Sequence, residues 1–371
     1  MNQCFKEKKT MSSFAVRRQI VRSVEDHPNA DRLSLVSILG YTAISAKTEN
    51  GRHRYSPGDW VIYIPEDAIL PERLLRRLGL WNEAAGKGTL SGAMGARVRP
   101  LKLRGVYSEG LLLPIVDGVV FDGENEIPVS EDDMAAALGI QKYEPEIPTS
   151  MSGEVFAAVG VPAAYDFDAI ESQPDLFTSE DVVNVSEKIH GTFCQIGIVS
   201  GEYETAPFFV SSKGLGSRGL VFKDVPNNDH NVYVRTFRQL RDGGKLDVLR
   251  SMFPECSVRI FGEIFGPGVQ DLNYGLKSIA FRIFDIQVGQ MFLPTSEVRE
   301  VAARLGLDVV PTLYEGPYDW GKVLEVRDGK TTLGGDHIRE GVVIRATSGP
   351  RRIAKAVSPD YKLRKKGTEF R

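Results

Sequence analysis

The sequence predicts an α+β protein of two folded regions: a small barrel of short strands, then a block in which antiparallel sheets mix with helices. Three observations carry this. Residues 13–120 read as short β-rich runs, at 14–20, 33–39, 60–64 and 111–115, punctuated by turn signals such as Asn50-Gly51 and Pro57-Gly58-Asp59. One helical stretch interrupts them at 71–80, where Leu74, Leu75 and Leu78 share a face. Many short strands with a single helix predict a Greek-key barrel. From about residue 176 onward, strands alternate irregularly with helices expected at 232–252 and 296–305, the pattern of antiparallel sheets with helices.

Residues 121–175 are expected to form an acidic linker. It carries one short helix, with Ser130 as N-cap, acids in the first turn and Gly139 as the stop. Charge follows the same division. Residues 12–110 hold 15 Lys and Arg against 10 Asp and Glu, residues 111–187 hold 1 against 17, and residues 188–371 hold 27 against 21. The net charge of −3 thus hides two basic segments around an acidic middle, and local field decides whether a polyanion can bind.

Several classes are excluded at this level. No apolar run approaches the ~20 residues that span a bilayer. Residues 1–12 are polar and Lys-rich without the apolar core of a secretory signal, and are expected to be a disordered extension. Cys4, Cys194 and Cys256 lack any paired Cys or His spacing, which argues against a disulfide framework and a structural zinc. A soluble, cytoplasmic, monomeric protein is expected.

The second block holds five short segments in order, then an apolar strand with one lysine. Ser186-Glu187-Lys188-Ile189-His190-Gly191-Thr192 ends a strand with a lysine, and Gly191 allows close approach of the backbone to a bulky ligand. Residues 208–219 contain Lys213, Arg218 and a literal G-x-G-x-x-G at Gly214, Gly216 and Gly219. A dinucleotide fingerprint needs an amphipathic helix next; residues 220–227 read instead as a strand and a turn, so the dinucleotide reading is rejected. Glu263 lies between Phe261 and Phe265 on one face of an apolar strand, where an unpaired carboxylate is costly. Residues 279–286 contain Phe284 and Asp285, residues 339–345 open with Glu340-Gly341, and Lys355 sits in an apolar run followed by a basic tail from Lys362. A structural ion pair for Glu263 and a solvated end for the tail are the plain alternatives.

Taken together the segments resemble the nucleotidyltransferase motifs of the covalent ligase superfamily, most closely those of RNA ligases. Glu187-Lys188-Ile189-His190-Gly191 is similar to the nucleophile motif of phage-type RNA ligases, and the other motifs follow in order through Lys355. Two N-terminal segments, His27-Pro28-Asn29-Ala30-Asp31-Arg32-Leu33 and Leu103-Arg104-Gly105-Val106-Tyr107-Ser108-Glu109-Gly110, resemble tRNA-binding OB modules. The layout implied is a disordered extension at 1–12, an OB-like barrel at 13–120, an acidic linker at 121–175, and an ATP-grasp-like nucleotidyltransferase domain at 176–371.

The resemblance implies an ATP-dependent RNA ligase that works through lysyl-AMP and joins 3′-OH to 5′-phosphate RNA ends in a nicked duplex. It makes Lys188 the nucleophile and Lys355 its catalytic partner. Glu263 and Glu340 would hold Mg²⁺ or Mn²⁺, Phe284 would stack on adenine, Glu187 would face the exocyclic amine, and Gly191 and Lys213 would line the nucleotide site. Tyr107 would offer a stacking surface to RNA. Two departures stand. Lys213, with Arg218 in reserve, replaces the usual arginine, and Lys355 lacks the second lysine two residues away, a place Lys362 would have to fill. A DNA ligase, a GTP-using capping enzyme, and a tRNA-binding protein with an inactive ligase fold are the alternatives.

Overall fold

The computed structural model describes residues 14–200 and 208–364. The expected N-terminal extension, Cys4, and the end of the basic tail (Lys365 and Lys366) lie outside the described residues. Two compact units emerge. Unit 1 is residues 1–144 with 168–174, and unit 2 is residues 145–167 with 175–371.

Unit 1 is built on β1 (Arg17–Asp26), β2 (Leu33–Ile38), β3 (Tyr41–Ala46), β4 (Trp60–Ile64), α1 (Glu72–Arg77), β5 (Leu101–Leu103), β6 (Val106–Ser108) and β7 (Leu111–Pro114). Five strands form an antiparallel sheet in the order β7-β4-β1-β2-β3. The long β1 pairs with β4 through its first half and β2 through its second, with a register break between Val21 and Ser23 that bends it. Glu109 N donates to Thr42 O at 2.9 Å and Ile44 N to Ser108 Oγ at 3.0 Å, which draws the β7 end of the chain onto β3 and curls the sheet into an OB-like half-barrel. Val21, Val36, Ile38, Ala43, Val61, Tyr63 and Leu112, drawn from all five strands, form one cluster, and Val16, Ile62, Ile64 and Leu113 form a second core with Leu74 and Leu75 of α1.

The expected linker does not run free. Met134, Leu138 and Ile140 join that same core, and Asp133 Oδ1 accepts from Val16 N at 2.9 Å. The apolar positions of this acidic stretch were enough to seat it. Its helix, α2 (Ala135–Leu138), is shorter than expected. Asp133, not Ser130, meets its first turn, accepting from Ala135 N at 3.0 Å, and Gly139 ends it at φ 68° as expected.

Unit 2 contains β8 (Val182–Lys188), β9 (Thr192–Ile198), β10 (Phe208–Ser212), α3 (Lys213–Gly216), β11 (Leu220–Phe222), α4 (Val232–Asp242), α5 (Lys245–Met252), β12 (Val258–Phe265), β13 (Ala280–Val288), β14 (Met291–Phe292), α6 (Thr295–Leu305), β15 (Thr312–Pro317), α7 (Trp320–Arg327), β16 (Gly341–Ala346), β17 (Ile353–Val357) and α8 (Pro359–Lys362). Two antiparallel sheets result, one ordered β15-β8-β16-β17 and the other β10-β9-β12-β13-β14. Cys194, Ile196, Ile260, Ile264, Ile283 and Ile286 put one face of the second sheet into clusters shared with α4, α5 and α6. One long helix was expected at 232–252. Gly243 and Gly244, the latter at φ 72°, divide it into α4 and α5. After the G-x-G-x-x-G comes a strand, β11, as the rejection of the dinucleotide reading requires.

No helix among the described residues is long and apolar enough to cross a membrane.

Candidate active site

Strand alternation sets the first sheet's two faces. In β8, Val183, Val185 and Glu187 point one way, and Asn184, Ser186 and Lys188 the other. Register carries the second set across: Ser186 pairs with Val343 of β16, and Val343 with Lys355 of β17. Lys188 and Lys355 thus lie on one face of one sheet, while Ala354 and Ala356 are buried behind it. The Lys188 ammonium donates to Glu340 Oε1, from the residue just before β16; the two side chains keep 26% and 12% of their exposure. That exposure leaves the amine reachable.

Glu263 arrives from the second sheet, opposite Phe193 of β9 and Arg282 of β13. Burial pushes its carboxyl up to about 8 and nearby Glu340 adds to the rise, while Lys188 and Lys213 pull against it. Gly191 explains how the two sheets meet here. A Cβ on it would stand 2.2 Å from Ile264 O and 2.9 Å from Glu263 Cγ. The glycine expected to admit a ligand in fact admits β12. Gly341 serves the same end beside Glu340, where a Cβ would lie 2.3 Å from Ala356 O.

Glu187 takes a different place from the one expected. Its carboxylate accepts from Thr331 Oγ1 at 2.5 Å, Thr332 N at 2.9 Å and Thr332 Oγ1 at 2.6 Å, on the face away from Lys188, and only 1% of it is exposed. These three bonds tie the end of β8 to residues 331–332.

Phe284 owes its position to a bulge. Phe261 pairs with Asp285 and Gly262 with Ile283, which leaves Phe284 as the extra residue, re-aimed out of the ladder. It lines a small solvent-open recess together with Asn184, Ser186, Thr312 and Arg345. Behind it Asp285, fully buried, accepts from Tyr165 Oη at 2.8 Å, Arg351 Nη2 at 2.8 Å and Arg345 Nη2 at 3.1 Å. This buried carboxylate fastens β13 to β16 across the two sheets, a role that the sequence reading did not assign to it.

Lys213 opens α3 and donates to Asp166 Oδ1 at 2.8 Å. Arg218 turns back on its own helix, Nε to Gly214 O at 3.1 Å, and Lys362 lies in α8. His190, 2% exposed, is held from both sides: Nε2 lies 2.6 Å from Asp271 Oδ1 and Nδ1 lies 2.5 Å from Tyr361 Oη. Its backbone N donates to Tyr274 Oη at 2.6 Å. Asp166, Asp271 and Tyr361 escaped the sequence reading. The signal was thin, a lone acid in a presumed linker and a tyrosine in a basic tail. In unit 1, Tyr107 lies on β6, half-buried.

A lysine amine ion-paired to Glu340, with the Glu263 carboxyl close enough to feel its charge, shares a sheet face with a second lysine, the arrangement that the sequence resemblance anticipates. Residues 181–357 match the RNA ligase family model and residues 15–115 match an OB-fold domain family. The second unit is thus similar to the RNA ligase family over residues 181–357. The fold is similar to that of Naegleria gruberi RNA ligase solved with PPi, at 22% identity and TM-score 0.74 over 95% of this chain and 98% of that one. Substituted forms of that enzyme solved with ATP and Mn, and with AMP and Mn, match at 22% identity with TM-scores of 0.74 and 0.73, over 94% and 95% of this chain and 98% of each of theirs. A comparison with curated proteins found no match.

Proposed function

We propose that this chain is an RNA ligase, charged by ATP at Lys188, that seals 3′-OH to 5′-phosphate RNA ends, in a nicked duplex, as a cytoplasmic monomer. The convergence of the Lys188 amine and Glu340 from one sheet with Glu263 from the other carries the reading. The solved relative's complexes with ATP, AMP and Mn support the choice of nucleotide and metal.

The residues present fit a divalent cation. Among the described residues no group of three or more His, Cys, Asp or Glu could hold a metal. Two carboxylates suit a hard cation that completes its shell with water and phosphate oxygens. A buried carboxyl raised by its surroundings is also one that added positive charge would stabilise in its ionised form. A cation held by Glu263 and Glu340 would neutralise phosphate oxygens and disfavour the Lys188 ammonium by like-charge repulsion.

Lys188 does the covalent work. A free lysine, with a pKa of about 10.4, is almost fully protonated at neutral pH, so Nζ must lose a proton before it attacks. The neutral amine then forms a bond to the α-phosphorus of ATP and pyrophosphate leaves. The RNA 5′-phosphate takes the AMP, and the 3′-hydroxyl displaces it. Lys355 and Lys213 stand at the phosphates, where fixed positive charge stabilises the transition states of such transfers. Phe284 stacks on adenine. The basic segment 12–110 of the OB-like unit grips the strand by charge, with Tyr107 as a stacking surface.

The deciding test is adduct formation. Incubated with labelled ATP, the native chain should retain label covalently, and Lys188→Ala should retain none; an adduct in the variant sinks the assignment. GTP offered in parallel, and all-DNA nicks offered beside RNA-containing ones, separate this reading from a capping enzyme and a DNA ligase.

A further inference from the structure

Residues 145–167 were expected to be linker, yet they pack in unit 2 and deliver a carboxylate to the site. Tyr165 is the anchor. Its ring lies 4.7 Å from Phe261 and 5.5 Å from Phe284 by centroids, its hydroxyl donates to buried Asp285 at 2.8 Å, and Arg351 lies over its face at 5.4 Å. The next residue, Asp166, is therefore placed by a fixed neighbour. One of its oxygens, Oδ1, accepts from Phe167 N at 2.9 Å and from Lys213 Nζ at 2.8 Å.

The charges around it give that position a meaning. Burial works to raise the Asp166 carboxyl. Lys213, with Lys355 as a further positive charge, more than reverses this and holds it below the usual carboxylate range. An ionised carboxylate thus faces the two lysines assigned above to the nucleotide's phosphates. Of the Lys213–Asp166 pair, Lys213 is the more exposed, 41% against 28%, and it sits on a flexible stem. Lysine is the partner free to turn.

We propose that Asp166 is a built-in competitor of the nucleotide's phosphates, so that ATP binding exchanges the carboxylate–lysine contact at Lys213 for a phosphate–lysine contact. Rigid attachment of Asp166 through Tyr165 makes the exchange a standing penalty on phosphate binding. That penalty weakens ATP and released pyrophosphate alike, which favours departure of pyrophosphate once Lys188 has taken the AMP. No bond is made or broken by Asp166 itself. Its effect is on affinity.

The inference rests on the ligase reading, and one set of measurements separates the two. Enzyme–AMP formation is followed against ATP concentration in the full-length chain, native and Asp166→Asn, with inorganic pyrophosphate as inhibitor. Asparagine keeps the acceptor for Phe167 N and removes the charge. The KM for ATP and the inhibition constant for pyrophosphate should both fall about three- to tenfold, with the maximal rate within about twofold of native. Asp166→Ala should shift both constants the same way, and the shift should vanish in a Lys213→Ala background. An unchanged or raised KM, or a maximal rate down by more than about tenfold, would mean that Asp166 positions Lys213 for catalysis and would overturn the proposal. Failure of the native chain to form any adduct would instead overturn the ligase reading beneath it.

Discussion

The two units use their densest motifs in opposite ways. In unit 1 the segments around His27 and Ser108 hold the barrel together. His27 Nδ1 accepts from Asn29 N at 3.0 Å, which leaves the proton on Nε2 to reach Leu103 O at 3.1 Å. Asn29 Nδ2 donates to Arg104 O at 2.9 Å, and Ser108 and Glu109 reach β3. In unit 2, Lys188, Glu263, Glu340 and Lys355 converge on a surface reachable from solvent. Both sets are rich in polar and charged residues at close spacing. What separates them is the partner. Framework residues meet backbone atoms, whereas the ligase residues meet one another's charges. An uncompensated charge is what a substrate or cation can answer.

Glu187 crosses that line, since it belongs to a ligase motif and is bonded like a framework residue. Its replacement is the sharpest test of the distinction. Glu187→Ala would strand buried Thr331 and the backbone N of Thr332, and should destabilise the chain by about 3 kcal/mol in a denaturant titration. At a temperature where the variant is still folded, its ATP-over-GTP preference in adduct formation should match the native chain. A changed preference with unchanged stability would break the comparison and restore the carboxylate to the base.

That misplacement was avoidable from sequence. Lys188 and Glu187 are neighbours on a strand, so alternation sends their side chains to opposite faces, and only one can look into the cleft. The order of motifs, the strand beneath Lys188, and the loss of the dinucleotide reading were all legible, because each rests on local periodicity. The roles of Gly191 and Asp285 were not. A glycine admitting a neighbouring strand looks the same in sequence as one admitting a ligand. Asp285 is paired by Tyr165, Arg345 and Arg351, the first of them 120 positions away. The presumed linker failed for a related reason. Acidic composition set the expectation, while three apolar residues, Met134, Leu138 and Ile140, decided the packing.

A middle-sized effect tests the other side of the comparison. His27 is 4% exposed and bridges two backbone groups, so His27→Ala should cost unit 1 about 1–3 kcal/mol through the orphaned Leu103 O and Asn29 N. Thermal unfolding would report it. Adduct formation from ATP should be unaffected where both proteins are folded, since that step is assigned to unit 2. A large loss of adduct in this folded variant would mean that the barrel motifs contribute to the chemistry after all.

The smallest effect expected belongs to a framework pair inside the ligase unit. Asp181 precedes β8 and accepts from Arg352 Nη1 at 2.7 Å and Nη2 at 2.5 Å, with Thr178 N donating to it at 2.8 Å. Arg352 chiefly, with that backbone bond, holds the carboxyl well below its ordinary 3.8. Because the folded-state value is depressed, the pair's contribution is fully present above the ordinary carboxylate value. It fades as pH falls below 3.8 toward the folded value. Asp181 is exposed to solvent screening, so the shift should be slight. Unfolding temperature followed from pH 6 down to about pH 3 should fall less steeply for Asp181→Asn than for the native chain, with the two curves separated at pH 6 and converging at the acid end. Parallel curves across that range would mean that the pair adds nothing to the fold.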